Sequence, residues 1–588
     1  MSLSENKLET VHVVDPRVDL NSAAHHQYGV LSSGDDNNFR QFPSSSLSDS
    51  SIDWSSCNPP SRNTIINRRG FVNMNMQLTF IGQSGGAGQT LLQCAGLQPG
   101  VSGNNAYYDA PRANPISNLV FTETYTINGV PFTQNTGRFF RGLTRYHNDA
   151  MNQDTCQSMT PSMLDQFQTY ADGAGFARDP LRGYGDNPLQ CPRGGFIGVQ
   201  VIRNDSTGNP GDTAIVNLIV TEPFHVSPFL FGEHEEEAGL IGVETFTVNY
   251  QLSGLGSGSF AGLIGSVWSH STASPSTFTS ASVHVQSASL YLNFISPDIS
   301  QEIPPSMNYS YYQSNYLQTL TNVSSAPGDN NEYVMNTVTL SSIPNRIYVW
   351  VGPNDNLYNW TSSDVYFGIT GVQIIFENRP VIMSQATQQD LYQMSVRNGC
   401  NESWRQWIND VGSVLCINFG NDFPLQPNQA PGLRGKFELQ ITVNATNLSP
   451  FTYSSQSLNV LVVSEGVCTI SNGTAIQTLG VLNPNDVYAA KQAPGIKYKP
   501  GQNVYGGAPN WKGILNFFKK AARSALDIGK KVVPHLAPQY APHLQAADTL
   551  ASAVGIGRRA PARHHHAGGA MGGRALGRSR MMKMLAQM

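Results

Sequence analysis

Apolar and polar residues alternate strictly through FVNMNMQLTF, where Val72, Met74, Met76, Leu78 and Phe80 interleave with Asn73, Asn75, Gln77 and Thr79. A period of two is the pattern of a strand with one buried face. The same kind of signal predicts strands over 119–127, ending at the turn pair Asn128-Gly129, and over 196–202, 214–220 and 243–252. A second series follows at 283–294, 334–340, 347–351, 372–376, 414–419, 437–443 and 458–463. Helical patterns are few. One starts at Thr160-Pro161, an N-cap followed by proline at the first helical position, and runs to Tyr170. Another starts near Ser384 and stops at Gly399.

The two series run in the same order at a nearly constant offset. Ser162 and Gln385 are 223 residues apart, Phe196 and Val414 are 218 apart, and Val216 and Leu439 are 223 apart. Val72 against Ala288 gives 216, and Phe246 against Leu458 gives 212. A duplicated domain produces such an offset. The predicted fold class is all-β, with two tandem jelly-roll sandwiches and short helices. The expected organisation is a flexible N-terminal arm over 1–61, a first jelly roll over 62–268, a Ser/Thr-rich linker over 269–282 and a second jelly roll over 283–470. A further linker over 471–509 leads to an amphipathic helical segment at 510–550 and a basic Gly/Arg-rich tail at 551–588.

Composition adds a bias towards assembly. Only 13% of the 588 residues are charged, about half the usual share. A surface poor in charge is poorly suited to a free monomer and well suited to burial against neighbours. The formal net charge of -4 hides an asymmetry, because residues 501–588 hold 13 of the 36 Lys and Arg and only Asp527 and Asp548 among the acids. That is a basic tail on an acidic body, and its expected partners are nucleic acid or an anionic membrane. Seven widely spaced cysteines without a CxxC pair indicate neither a zinc site nor a disulfide scaffold. Cys416 reads as a small core residue. The N-terminus has no apolar core of signal-peptide length and no stretch is long and apolar enough for a transmembrane helix, so an intracellular, reducing place of synthesis is expected.

Chemistry is sparse. GEHEEEAG at 232–239 gathers a histidine and glutamates but lacks the HExxH spacing, so a solvated loop is favoured over a divalent-cation site. Gly254, Gly256 and Gly258 have the wrong spacing for a dinucleotide loop, and no nucleophile elbow is present. His564–His566 read as part of a polar tail. No catalytic set, metal site or cofactor is predicted, and the chain is expected not to be an enzyme.

The tail carries the functional pattern. From Asn510 it reads NWKGILNFFKKAARSALDIGKKVVPHL. On a helix, Ile514, Phe518, Ala525, Ile528 and Val532 share one face, and Lys512, Lys519, Arg523 and Lys530 lie on the other. With Trp511 and Phe517 nearby, this is the form of an interfacial membrane helix, and equally of a helix docked beneath a shell by its apolar face. The candidate membrane-active residues are Trp511, Ile514, Phe517, Phe518, Ile528 and Val532. Beyond it, Arg558, Arg559, Arg563, Arg574, Arg578, Arg580 and Lys583 occur without any acid. They are the candidates for sequence-independent phosphate neutralisation on a packaged genome.

NPPSRNTIINRR leading into a strand, SPFLFG followed by GLIGVETFTVNYQL, SLYLNFISPD with its following IPPS, and the SQATQQDLYQMSVRNG helix before SVLCINFG give a resemblance over roughly residues 55–470. Together these motifs resemble hexon-type double jelly-roll major capsid proteins, with a likeness to those of adintoviruses and Polinton-like viruses. The resemblance implies a subunit that trimerises, tiles an icosahedral shell with other capsid proteins around the viral genome, and resides in the virion after assembly in host cytoplasm or nucleus. The tail resembles the membrane-lytic and DNA-condensing minor proteins of adenoviruses, which implies contact with a host membrane during entry and release by proteolysis. The competing function is a receptor-binding spike or penton-like minor capsid protein, present at sparse positions.

Overall fold

The computed structural model describes residues 36–93, 108–146, 196–229, 239–253, 263–270, 274–297 and 303–487, apart from 355–359, 362–365 and a few single positions. The alternating segment at its centre is the strand β5. Among the described residues the first half has β1 (Asp36–Pro43), β2 (Ser46–Leu47), β3 (Ser51–Trp54), β4 (Ile65–Ile66), β5 (Phe71–Gln83), β6 (Asp109–Pro111), β7 (Val120–Ile127), β8 (Val130–Gln134), β9 (Phe196–Asn204), β10 (Asp212–Pro223), β11 (Phe246–Leu252), β12 (Trp268–His270) and β13 (Thr277–Ser296). The second half has β14 (Ser306–Thr321), β15 (Asn330–Ser342), β16 (Arg346–Pro353), β17 (Gly368–Phe376), β18 (Arg379–Ile382), β19 (Leu415–Asn418), β20 (Arg434–Thr446), β21 (Gln456–Ser471) and β22 (Thr474–Leu479). Short helices are α1 (Pro115–Leu119), α2 (Thr136–Leu143), α3 (Leu263–Val267) and α4 (Gln388–Arg397).

Val72, Met74, Met76, Leu78 and Phe80 are fully buried, as their period predicts. They meet Val216 and Leu218 of β10 on one side and Val283 and Val285 of β13 on the other, all antiparallel. The sheet runs β1-β13-β5-β10-β9 and its partner runs β2-β3-β11-β7-β8. The hairpin between β7 and β8 turns on Asn128 and Gly129 at φ 50° and 78°, the left-handed pair that a two-residue turn requires. Helix α4 begins at Gln388 rather than Ser384 because Thr387 and Asp390 form a reciprocal capping box. It ends before Gly399 at φ 99°.

The duplication is real, but its register differs from the offset read along the sequence. Take the eight principal strands of the first half as β1, β3, β5, β7, β8, β10, β11 and β13, and those of the second as β14 to β21. Both halves then have sheets ordered first-eighth-third-sixth and second-seventh-fourth-fifth. Two jelly rolls follow in tandem. The first strands, starting at Asp36 and Ser306, are 270 residues apart, and the last, starting at Thr277 and Gln456, are 179 apart. The offset slides because the first jelly roll carries the longer connections. The pairing of Val72 with Ala288 joins two strands of one sheet, since Ala288 lies opposite Met74.

Three expected boundaries move accordingly. Residues 283–296 close the first jelly roll instead of opening the second, and the expected linker at 269–282 contains the end of β12 and the start of β13. Polar Ser and Thr there hid a strand held by backbone pairing to Gln83, Ile81 and Thr79. The expected arm over 1–61 is strand from Asp36 onward. There β1 pairs with β13 and β3 pairs with β11, so that Ile52 and Trp54 enter the core. Edge strands with one wet face look unstructured in a polar sequence. The expected linker from 471 likewise contains β22, which pairs with the end of β21. Residues 1–35, the helix expected at 160–170 and everything from 488 lie outside the described residues.

Candidate assembly interface

Two hydrophobic cores form, one per jelly roll, and each contains side chains sent by the other. From the second jelly roll, Tyr309 and Tyr311 of β14, Cys468 and Ile470 of β21, Ala475 and Trp360 join the core of the first. Tyr309 donates its hydroxyl to the carbonyl of Gly239 at 2.9 Å and accepts from the N–H of Ile241 at 2.8 Å. The Arg68 guanidinium stands 5.5 Å over its ring. Ser227 bridges the junction, donating to the Ser310 carbonyl at 3.2 Å and accepting from the Tyr312 N–H at 3.1 Å.

Trp360 is the bulkiest of these side chains. Its ring lies 4.8 Å from His270 and 4.9 Å from Phe278, and it stacks at 6.4 Å on Phe80. Its carbonyl accepts from the His270 N–H at 2.8 Å and from the buried Arg112 guanidinium at 3.4 Å. His270 Nδ1 lies 2.7 Å from Asp109 Oδ1, and Asp109 Oδ2 accepts from the N–H of Gln93 at 2.9 Å. This Asp-His pair is packed against Trp268, Phe278 and Trp360, so it ties loops to the core.

The reciprocal anchor comes from α2 and the residues after it. Phe139 and Tyr146 belong to the second core. Tyr146 donates to the Val414 carbonyl at 2.5 Å, and its ring meets Tyr348 edge-on at 5.0 Å. Arg145 donates to the Gly412 carbonyl at 2.7 Å, stacks 4.6 Å over Tyr366 and lies 3.5 Å from Glu402. A buried cation paired and hydrogen-bonded on several sides contributes specificity of docking more than net stability.

The start of α2 also touches a pair of buried carboxylates, Glu123 and Glu222. Glu123 accepts from the Thr136 hydroxyl at 3.0 Å and from Tyr125 at 3.1 Å, while Tyr125 and Tyr250 share a hydrogen bond of 2.8 Å. Glu222 accepts from the N–H groups of Ile116 and Ser117, each at 2.8 Å, and from the Ser117 hydroxyl. Burial pushes both carboxyls up to about 7, with the charge of Glu222 adding to the rise at Glu123. Burial holds His225 down to about 4, hence neutral.

Among the described residues no three or more His, Cys, Asp or Glu are placed to hold a metal ion, and no helix is long and apolar enough to cross a membrane. Cys57, Cys400, Cys416 and Cys468 are free and buried, and desolvation pushes each thiol up to about 12. Cys416 is thus the small core residue expected, far from thiolate reactivity. Residues 232–238 of the His/Glu loop, His564–His566, the candidate membrane residues from Trp511 to Val532 and the cationic residues from Arg558 to Lys583 all lie outside the described residues. Sequence reasoning missed Tyr146, Arg145 and Trp360. Each sits in a polar connection without period, where an isolated aromatic is the only signal.

The family model "Sputnik virophage major capsid protein 1st domain" matches residues 6–295, and "Major capsid protein V20 C-terminal domain" matches residues 313–466. The gap between the matches falls between β13 and the middle of β14, in agreement with the boundary seen in the fold. The chain is 29% identical to the putative capsid protein V20 of Sputnik virophage, over all of both chains. The cryo-EM structure of the Sputnik virophage matches at 28% identity and TM-score 0.73, covering 86% of this chain and 100% of that one. The mavirus major capsid protein shares the fold at 12% identity and TM-score 0.62, covering 84% of this chain and 99% of that one.

Proposed function

We propose, from the premise that this chain is a major capsid protein of the virophage kind and a structural part of the virion rather than an enzyme, that three copies associate side by side as the building block of an icosahedral shell. The observation that carries this is the mutual anchoring of two topologically identical jelly rolls, which makes one chain a rigid pair of equivalent units. Three such pairs give six similar wedges around an axis. Closed symmetric association of this kind is the commonest route to a soluble oligomer, and the low charge content supports it. Sedimentation or mass photometry of the purified full-length chain tests it: the expected species has three times the chain mass, and a chain that stays monomeric at high concentration overturns it.

The basic tail faces the interior in this reading. Arg558, Arg559, Arg563, Arg574, Arg578, Arg580 and Lys583 neutralise genome phosphates without reading sequence, and the segment around Trp511 to Val532 acts on a host membrane during entry. The support is the sequence pattern alone. Leakage of anionic liposomes by a peptide of residues 510–536, lost in Phe518→Asp, is the expected result, and no leakage removes the membrane role. A kinship with adintoviruses is supported by the sequence motifs.

A further inference from the structure

Equivalent strands of the two jelly rolls are buried differently. In the second, every residue from Ile347 to Gly352 of β16 and from Leu415 to Ile417 of β19 is buried, so both faces of these strands are covered. One face meets its own core; on the other, Tyr348 packs against Tyr146 and Trp350 lies beside Gly142, both from the first jelly roll. In the first, β5 and β10 occupy the same places in the sheet order, yet only one face is buried. On the outer face Asn73, Asn75, Gln77 and Thr79 are half-buried and Ile81 is 39% exposed. Ile215, Asn217 and Ile219 of β10 are half-buried beside them.

That outer face has the chemistry of an interface. Along β5 and β10 its positions from Asn73 to Ile81 and from Thr213 to Thr221 carry no charge. Gln77 donates to Asn217 at 3.3 Å and Asn75 to Gln286 at 3.3 Å, which fixes the amides in a flat ladder. Phe39, on the edge strand β1 opposite Asn293, adds an aromatic ring that is 74% exposed.

The complementary element is also present once without a described partner in the other jelly roll. The segment that covers β16 is α2 with Arg145 and Tyr146, which follows β8, the fifth principal strand. Its equivalent after β18 is α4 with the chain to Trp407. There Val396 is 39% exposed, and Trp404 is 37% exposed while stacking on Trp407.

We propose that the outer face of β5 and β10 receives α4 and Trp404 of a second copy, repeating between chains the contact that α2 and Tyr146 make on β16 within one chain. A contact of this head-to-tail kind leaves one face and one segment open on each chain and closes into a ring when the rotation per unit allows it. The inference rests on the trimer reading and names the surfaces that build it.

The test places the photo-crosslinker benzoylphenylalanine at Gln77 of the full-length chain and irradiates particles assembled from a mixture of ordinary and nitrogen-15-labelled chains. Mixed-isotope crosslinks from position 77 into residues 388–407 are expected. Crosslinks that stay within one chain, or reach other segments, overturn the assignment. In parallel, Gln77→Arg with Asn217→Arg is expected to abolish the trimer while leaving a folded monomer with native circular dichroism, since both side chains point away from the core. Trimers that form undiminished in this double variant overturn the proposed surface alone, whereas a wild-type chain that never trimerises overturns the trimer reading as well.

Discussion

Tyr146 of the first jelly roll donates its hydroxyl to the carbonyl of Val414 in the second across 2.5 Å. The same carbonyl also accepts from Trp407 Nε1 at 3.2 Å, so the two contributions of Tyr146 can be separated. Tyr146→Phe leaves Val414 satisfied and is expected to cost about 1 kcal/mol. Tyr146→Ala also empties the space beside Tyr348 and is expected to cost about 3–5 kcal/mol. Chemical denaturation of the two variants checks this, and equal losses would mean that the ring packing is unimportant.

Trp360 offers the reciprocal experiment. Its ring fills a box of Phe80, His270 and Phe278 in the first core. Trp360→Ala is expected to lower stability by about 3–5 kcal/mol, and to expose the first jelly roll to limited proteolysis before the second. Protection of both halves equal to wild type would sink the idea that this loop locks the pair.

The carboxylate cluster predicts a pH dependence. Glu123 and Glu222 are raised from ordinary values near 4.5 to about 7. Their stabilisation is therefore complete below pH 4.5 and is lost as pH rises through about 7. His225 is lowered from 6.5 to about 4, so its contribution is complete above 6.5 and is lost as pH falls towards 4. The two trends oppose each other at mildly acid pH, and between about 6.5 and 7.5 only the carboxylates act. Stability is expected to fall there in wild type and to fall less in Glu123→Gln, which keeps the neutral form's hydrogen bonds. Parallel slopes in denaturation midpoints against pH would refute it.

Thiol accessibility gives a quick check of the core. Cys57, Cys400, Cys416 and Cys468 are buried and their thiols are pushed up to about 12, so none presents a thiolate near neutral pH. Brief alkylation of the native protein, followed by peptide mass spectrometry, is expected to leave these four unmodified and to modify them after denaturation. Rapid native labelling of Cys416 would contradict the packing around Tyr348.

The strand pattern was legible along the chain because side chains alternate across a sheet and water enforces the alternation. Val72 to Phe80 declared their face, Asn128-Gly129 their turn, and the recurrence of elements declared that the unit is doubled. Cys416 announced its burial by its apolar neighbours. What only the tertiary structure decided is which strand matches which, and what one half does to the other. β13 pairs with β5 through backbone groups that Ser and Thr leave as free to bond as Val does, so a polar strand passed for a linker and the offset was matched one strand out of step. The anchors Tyr146 and Trp360 lie in connections whose residues have no periodic reason to be apolar. Their burial depends on a surface hundreds of residues away in the case of Tyr146 and Val414, and on the fold of the other jelly roll in the case of Trp360. Local pattern fixes which face of a strand avoids water. Which body covers that face is a property of the assembled pair.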